Sequence, residues 1–339
     1  MDNTVTKEKV NKGIPKGIGI LIGIIVAMIT LAVVLLHKNP NAVPKEEWIK
    51  KAIACAMVLC ALTAFVSLYD KIVVLPRELW GNRELIWKLA RNDFKKRYAG
   101  STMGRVWAFI QPIVTVGMYY CIFGIIFPAR AQLVASGVKA PYVVWLTAGL
   151  IPWFYFSEAI GGGTSALIEY NYLVKKVVFK ISILPIIKVI AASFIHVFFV
   201  MLLLVLYFVF RFEPSVYLIQ LFYYSFCMFC LTLAISYSTC AIVVFFKDLT
   251  QIIGILLQVG MWATPIMWEI GVIPEKYRII FKLNPVFYII NGYRSALFEE
   301  QWFFEDFYST MFFWITTAII FGIGALIFKR LKPHFADVL

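Results

Sequence analysis

Long apolar runs separated by short polar and basic breaks set the pattern of this chain. Runs at 17–36, 52–75, 106–127, 142–168, 183–210, 216–246, 249–268 and 307–328 each hold about 18 or more residues with few charges. Roughly 20 helical residues cross the hydrocarbon core of a bilayer while satisfying every backbone hydrogen bond internally. The pattern therefore predicts an all-α integral membrane protein. The first two runs flank the polar turn Asn39-Pro40-Asn41-Ala42-Val43-Pro44 and read as a two-helix hairpin. Although the first run follows a basic tail, it is longer than the roughly 7–15 apolar residues of a secretory signal, and His37-Lys38-Asn39-Pro40 offers no small-residue cleavage site. It reads as a retained helix.

The segment 77–105 differs, because basic residues interleave with large apolar ones. At 100° per residue, Glu84, Lys88, Arg91, Asn92, Lys95 and Lys96 share one arc of a helix, with Ile86, Trp87, Leu89, Ala90, Phe94 and Tyr98 on the other. Such a helix lies in the headgroup plane. Asp93 and Arg97 fall in the apolar arc at the spacing of an intrahelical pair, with contact to a partner or a lipid phosphate as the alternative. The expected organisation is thus a tail and hairpin over 1–76, an interface helix over 77–105 and a six-span domain over 106–339.

Charge sets an orientation. Placing the basic helix in the cytoplasm puts Lys175, Lys176, Lys180 and Lys188, then Lys247, then Lys329, Arg330 and Lys332 on the same side, as the positive-inside rule asks. Both termini are then cytoplasmic. Parity makes 269–305 external, yet it starts and ends in apolar, aromatic sequence and carries Pro274 and Pro285, so it is expected to be re-entrant and to border a pathway. In the second span of this domain, Gly161-Gly162-Gly163 predicts a break or a close-packing point.

Composition supports this architecture. Hydrophobic residues make up 61% of the chain and charged residues 15%, with mean hydropathy +0.82, against roughly 45–50% and about 25% in soluble domains. The net charge of +13 collects at the ends of apolar runs, which points to headgroups and topology rather than nucleic acid. Six cysteines lie in apolar runs without flanking histidines or acids, so no metal site or disulfide framework is expected; Cys227-x-x-Cys230 reads as buried packing. His196, at mid-span, reads as a hydrogen-bonded packing residue. No nucleotide-binding G-x-x-x-x-G-K-[ST], nucleophile-elbow or zinc-protease pattern occurs, so no catalytic residue is assigned.

Five fragments, in order over 83–339, carry a family resemblance: Arg97-Tyr98-x-x-Ser101-x-x-Gly104-x-x-Trp107-x-x-x-x-Pro112, Leu173-Val174-Lys175-Lys176-Val177-Val178-Phe179, Phe246-Lys247-Asp248-Leu249, Asn284-Pro285 with Tyr293-Arg294, and Phe335-Ala336-Asp337. Together they resemble the permeases of ATP-binding-cassette exporters of bacterial polysaccharides, the ABC-2 type family that serves O-antigen, capsule and teichoic acid. The chain departs from the family pattern at Lys247, where arginine is usual, and at Lys180, where proline is usual. The resemblance covers the interface helix and everything after it, and leaves the hairpin without a role.

The resemblance implies a homodimer in the bacterial inner membrane on two copies of a separate ATPase, which binds the ATP and magnesium; this chain itself carries no cofactor. The implied substrate is a glycan on a polyprenyl diphosphate. Glu169, Tyr170, Asn171, Lys175, Lys176 and Phe179, with Asp93, become candidates for coupling to the ATPase. Arg97 and Arg105 become candidates for the diphosphate. Tyr119, Tyr120, Trp145, Trp153, Tyr155, Trp262, Trp268 and Tyr293 become candidates for a glycan path, with interfacial belt or packing roles as the alternative. Two other functions compete: a membrane-embedded glycan-processing enzyme, which the scattered acids Glu158, Glu169, Glu269, Glu299, Glu300, Glu305 and Asp306 do not favour, and an exporter of drugs or small lipids.

Overall fold

The computed structural model describes residues 16–36, 44–97, 103–126, 132–133, 139–175 and 180–339. The chain forms two compact units, Met1–Arg83 and Glu84–Leu339. In the first, α1 (Lys16–Leu36) packs along α2 (Pro44–Ile72), followed by α3 (Val74–Gly81). Two glycines of α1 make the pairing close, since Gly19 lies against the Tyr69 ring and Gly23 against Phe65. Large apolar side chains such as Ile22, Val26 and Ile29 stay exposed, as lipid-facing positions would.

The second unit begins with the amphipathic helix α4 (Arg83–Arg97). The helix is shorter than the 77–105 expected from the pattern, because Asn82 leaves helical geometry at φ −112°, ψ 18° and its Nδ2 donates to the Glu78 carbonyl at 2.5 Å, closing α3. Residues 98–102 of the expected segment lie outside the described ones. The following span is α5 (Trp107–Tyr120), extended by a π-helical turn over Cys121–Ile126. A two-residue antiparallel ladder pairs Gln132 with Ala140 and Leu133 with Lys139, a small β element in a fold read as all-α.

Beyond it lie α6 (Tyr142–Glu169), the single turn α7 (Asn171–Val174), α8 (Leu184–Val209), α9 (Gln220–Val243) and α10 (Leu249–Ala263). The segment read as re-entrant breaks into α11 (Glu275–Lys282), α12 (Pro285–Arg294) and a π-helical turn over Ser295–Glu299. It is followed by α13 (Phe307–Leu331) and α14 (Phe335–Val338). Among the described residues six helices are long and apolar enough to cross a membrane, two of them α1 and α2. Of the six spans expected after residue 105, four reach that length among the described residues; within the runs at 106–127 and 249–268 the apolar helices are shorter. The second stops at Ala263, where Thr264 adopts extended geometry before Pro265.

At the centre stands α6, buried along most of its length. It packs between α8 and α9; α13 lies on α9, and α12 fits against both α6 and α9. The expected break at Gly161–Gly163 is absent, and α6 runs through it unbroken. Instead the run permits close packing: a Cβ on Gly163 would sit 2.2 Å from Ser236 Oγ and 2.7 Å from Ser236 Cβ of α9. On α8, Val197, Met201, Val205, Phe208 and Val209 form an exposed apolar stripe, while on α10 Ile253 is the sole buried residue.

If this contact sets the spacing of α6 and α9, Gly163→Ala overpacks it at a cost of about 1–3 kcal/mol. A lower melting midpoint in detergent is expected, with partial recovery on adding Ser236→Gly. Gly161→Ala, which meets nothing within 4 Å, serves as control; equal melting of the two alanine variants would contradict the contact.

Candidate functional site

Three chain segments meet on one buried ammonium. Lys188, one turn into α8 and 9% exposed, donates to Asp93 Oδ1 at 2.8 Å and to Glu169 Oε2 at 2.5 Å. Asp93, on the inner face of α4, also accepts from the Tyr170 hydroxyl, and the Lys188 ammonium lies 5.0 Å from the centre of the Tyr170 ring. Burial, reinforced by the Asp93 contact, raises the Tyr170 phenol above its ordinary value and keeps it a neutral donor. The cluster thus ties α4, the end of α6 and the start of α8 to one point beside α7. Gly162 faces the Lys188 stem, and a Cβ added there would meet Lys188 Cβ at 3.7 Å, an ordinary van der Waals contact.

The four charges that fall on apolar faces solve each other's problem. Asp93 and Arg97 are four residues apart, yet Asp93 takes Lys188 and Tyr170, while Arg97 donates from Nη1 to Glu158 of α6. The pairing is between helices, correcting the intrahelical reading. Packing supports the same face: Ile86 and Ala90 are buried, and Trp87 and Phe94 both contact Phe194 of α8. Lys88, Arg91 and Lys95 remain exposed on the opposite face.

A second buried cation holds the other end of α6. Arg294 of α12 lies over the Trp145 ring, 3.4 Å from its centre, and donates to the carbonyls of Pro265 at 2.8 Å and Ile266 at 2.5 Å. Those carbonyls are the ones a helix break frees, and at membrane depth they need donors. Gly149 leaves space for the guanidinium, since a Cβ there would lie 2.7 Å from Nη2. Asn284 completes the break: it caps α12 by accepting from Val286 N at 3.0 Å and donates to Thr264 Oγ1 at 3.1 Å. Asn284-Pro285 and Tyr293-Arg294 are thus two clamps on one bend. Phe335, fully buried, contacts Phe328 and Phe245, so the Phe335-Ala336-Asp337 motif docks beneath the α9–α10 turn that carries Phe246-Lys247-Asp248-Leu249.

The coupling candidates divide accordingly. Glu169, Tyr170 and Asp93 join the cluster, with the Glu169 side chain still 51% exposed; Asn171 and Lys175 are exposed on and after α7. Lys176 and Phe179 lie outside the described residues. Arg97 is 40% exposed and paired, while Arg105 contributes its backbone to the 3-10 turn Gly104–Val106 and its side chain lies outside the described ones. Of the aromatic candidates, Trp145, Trp153, Tyr155 and Tyr293 are packed inside the unit rather than along an open path. Tyr155 stacks on His196, whose Nε2 is 3.0 Å from Ser225 Oγ and 3.1 Å from the Tyr293 hydroxyl, which makes His196 the interhelical packing residue expected. Tyr120 and Trp262 are exposed, while Tyr119 and Trp268 are half-buried. Sequence reasoning used Lys188 only as a topology charge, Glu158 only as one of the scattered acids and Arg294 only as part of the Tyr293-Arg294 motif, and paired none of them, although each is a charge in or beside an apolar run.

Comparison with known proteins now decides the family. Residues 84–298, from the interface helix to the end of the segment after α12, match the ABC-2 type transporter family. The chain belongs to that family. ABC-2 relatives include the O-antigen export system permease protein RfbA of Myxococcus xanthus, 27% identical over 265 residues, which are 78% of this chain and 98% of the relative. The protein of the same name from Klebsiella pneumoniae is 28% identical over 259 residues, 76% of this chain and 95% of the relative. The ABC-2 match leaves out α1 and α2, in keeping with the separate first unit. As an ABC-2 protein with several long apolar helices, the chain is a multi-pass membrane protein.

Removing one member of a buried ion pair strands the other at a cost of about 3–5 kcal/mol, whereas removing both costs much less. Lys188→Met is therefore expected to melt well below the parent in nanodiscs, and Lys188→Met with Asp93→Leu to melt above it. A double variant no more stable than the single one would refute a specific pair.

Proposed function

We propose that this chain is the permease subunit of an ATP-driven exporter that moves a polyprenyl-diphosphate-linked polysaccharide from the cytoplasmic face of the bacterial inner membrane. The observation that carries the reading is the Lys188 cluster, because it joins the partly exposed end of α6 and α7 to the interface helix. In this proposal two copies of the chain sit on two copies of a separate ATPase, which binds ATP and magnesium. Both termini are cytoplasmic, α5 and α10 cross alongside the four long spans of the second unit, the segment over 269–305 re-enters from outside, and α1 and α2 form a membrane hairpin. The relatives, named as O-antigen export permeases, support a glycan as cargo.

The mechanism follows from stiffness. A push on Asn171 and Tyr172, both exposed, reaches Glu169 within one turn and through Lys188 engages α8 and α4 together. The helices then move as a set rather than one at a time. Arg97, beside Glu158, and Arg105 take the diphosphate by forked hydrogen bonds, which lysine does not reproduce.

The decisive measurement is ATP hydrolysis by the reconstituted permease and its ATPase, with and without lipid-linked glycan. Stimulation by glycan is expected, and turnover of glycan by the lone chain would point to an enzyme instead. Combining Glu169→Lys with Tyr170→Trp should uncouple hydrolysis from transport or weaken assembly; intact association and coupled hydrolysis would remove this region from the coupling path. Replacing Arg97 and Arg105 with lysine should lower transport by about tenfold or more, the scale of losing about 1.4 kcal/mol of interaction. Unchanged transport would leave charge anchoring as their role.

A further inference from the structure

At the end of the α6–α9 bundle opposite Lys188, a cavity of about 230 Å³ opens between α12, the start of α9 and the start of α13. Its walls include Tyr224, Tyr288, Trp302 and Phe303. The Tyr288 hydroxyl is already engaged by Tyr223 and Thr310, so that ring is fixed wall. Around the rings stand Asn291, Gln301, Lys282 and Asp306, all exposed. Over residues 289–298 Asn291 is the one exposed residue, an amide on an otherwise buried segment. Glu300, in left-handed geometry at φ 52°, turns the chain after the π-helical segment and brings Gln301 and Trp302 to the cavity.

We propose that this cavity binds one sugar ring of the emerging glycan, a saccharide subsite on the exit side. The proposal rests on the export reading above. The chemistry favours a neutral polyhydroxyl ligand. An aromatic wall, each of whose rings Phe303, Tyr288 and Trp302 is backed by a further ring (Tyr223, Phe313 and Phe304), takes the C–H side of a pyranose. The two exposed amides match its hydroxyls beside Asp306, which also caps α13 by accepting from Ser309 N. One lysine beside one aspartate gives no net charge for an anion. At about 230 Å³ the cavity is smaller than the roughly 300–1,000 Å³ pockets of drug-sized ligands, so it takes a ring and not a chain. Tyr224 forms its floor and contacts Tyr293, which meets His196, so an occupied cavity presses on the same buried column that packs α6 against α8 and α9.

The test uses the full permease with its ATPase in nanodiscs and, as probe, the soluble glycan released by mild acid from the lipid-linked material of the strain that makes this protein. Saturation-transfer NMR should show transfer to the glycan, weakened about tenfold or more by Asn291→Ala with Gln301→Ala, a loss of about 1.4 kcal/mol. Both residues are exposed, so the double variant keeps the fold; Trp302→Phe is a second variant that keeps a ring and should weaken transfer less. Transfer equal in the parent and the double variant overturns the subsite. Absence of transfer while lipid-linked glycan still stimulates ATP hydrolysis overturns the subsite and leaves the export reading standing. Absence of both overturns the two together.

Discussion

The rest of the second unit depends on a lysine that cannot be buried alone. Taking an ammonium out of water costs several kcal/mol even after relaxation, and attraction recovers this only with good geometry and several acceptors. Lys188 meets both conditions through two carboxylates and an aromatic face. The consequence is mechanical. Because Asp93 comes from α4 and Glu169 from α6, none of the three helix ends can shift alone without stranding a charge. An amphipathic helix that would otherwise float in the headgroups becomes part of the bundle.

Arg294 applies the same logic at the opposite end of α6, with a different partner. No carboxylate neutralises it at contact distance among the described residues; carbonyls freed by the bend at Pro265 and the face of Trp145 hold it. A guanidinium suits this task, being planar and able to donate along two directions while stacking on a ring. The central helix is thus gripped at each end by a buried cation, and each grip fastens an irregular segment: the α6–α7 turn at one end, the bend between α10 and α12 at the other. The long apolar helices carry little of this specificity, since lipid-facing surfaces such as the Val197–Val209 stripe can slide or rotate at small cost.

Helix placement was legible in the sequence because each membrane span must satisfy its own backbone, so length and hydropathy suffice. Boundaries that depend on a single turn were not: the end of α3 at Asn82 and the stop of α10 at Ala263 come from local caps and a proline. Of the two readings of Gly161–Gly163, the break fails because glycines that weaken a helix in water are held helical inside the bundle, and the close-packing reading holds at Gly163 alone, against Ser236. The charge cluster was half legible. Asp93 and Arg97 stood out on an apolar arc, but their partners lie 95 and 61 residues away, for Lys188 and Glu158 respectively, and only the fold brings those together.

Aromatic residues show why composition is a poor guide to sugar contact. Rings in this unit chiefly pack helices: Tyr237 on Phe328, Phe328 on Phe335, Tyr155 on His196. Trp145 and Tyr293 were reasonable sugar platforms by type, but the face of Trp145 is taken by Arg294 and the hydroxyl of Tyr293 by Ser225 and His196. What separates a ring that binds from one that packs is the polar group beside it that has no other duty. Trp302 packs as well, against Tyr217 and Phe304, but unlike Trp145 it stands beside the exposed amides of Asn291 and Gln301 at one cavity, and it belongs to none of the motifs that mark the family.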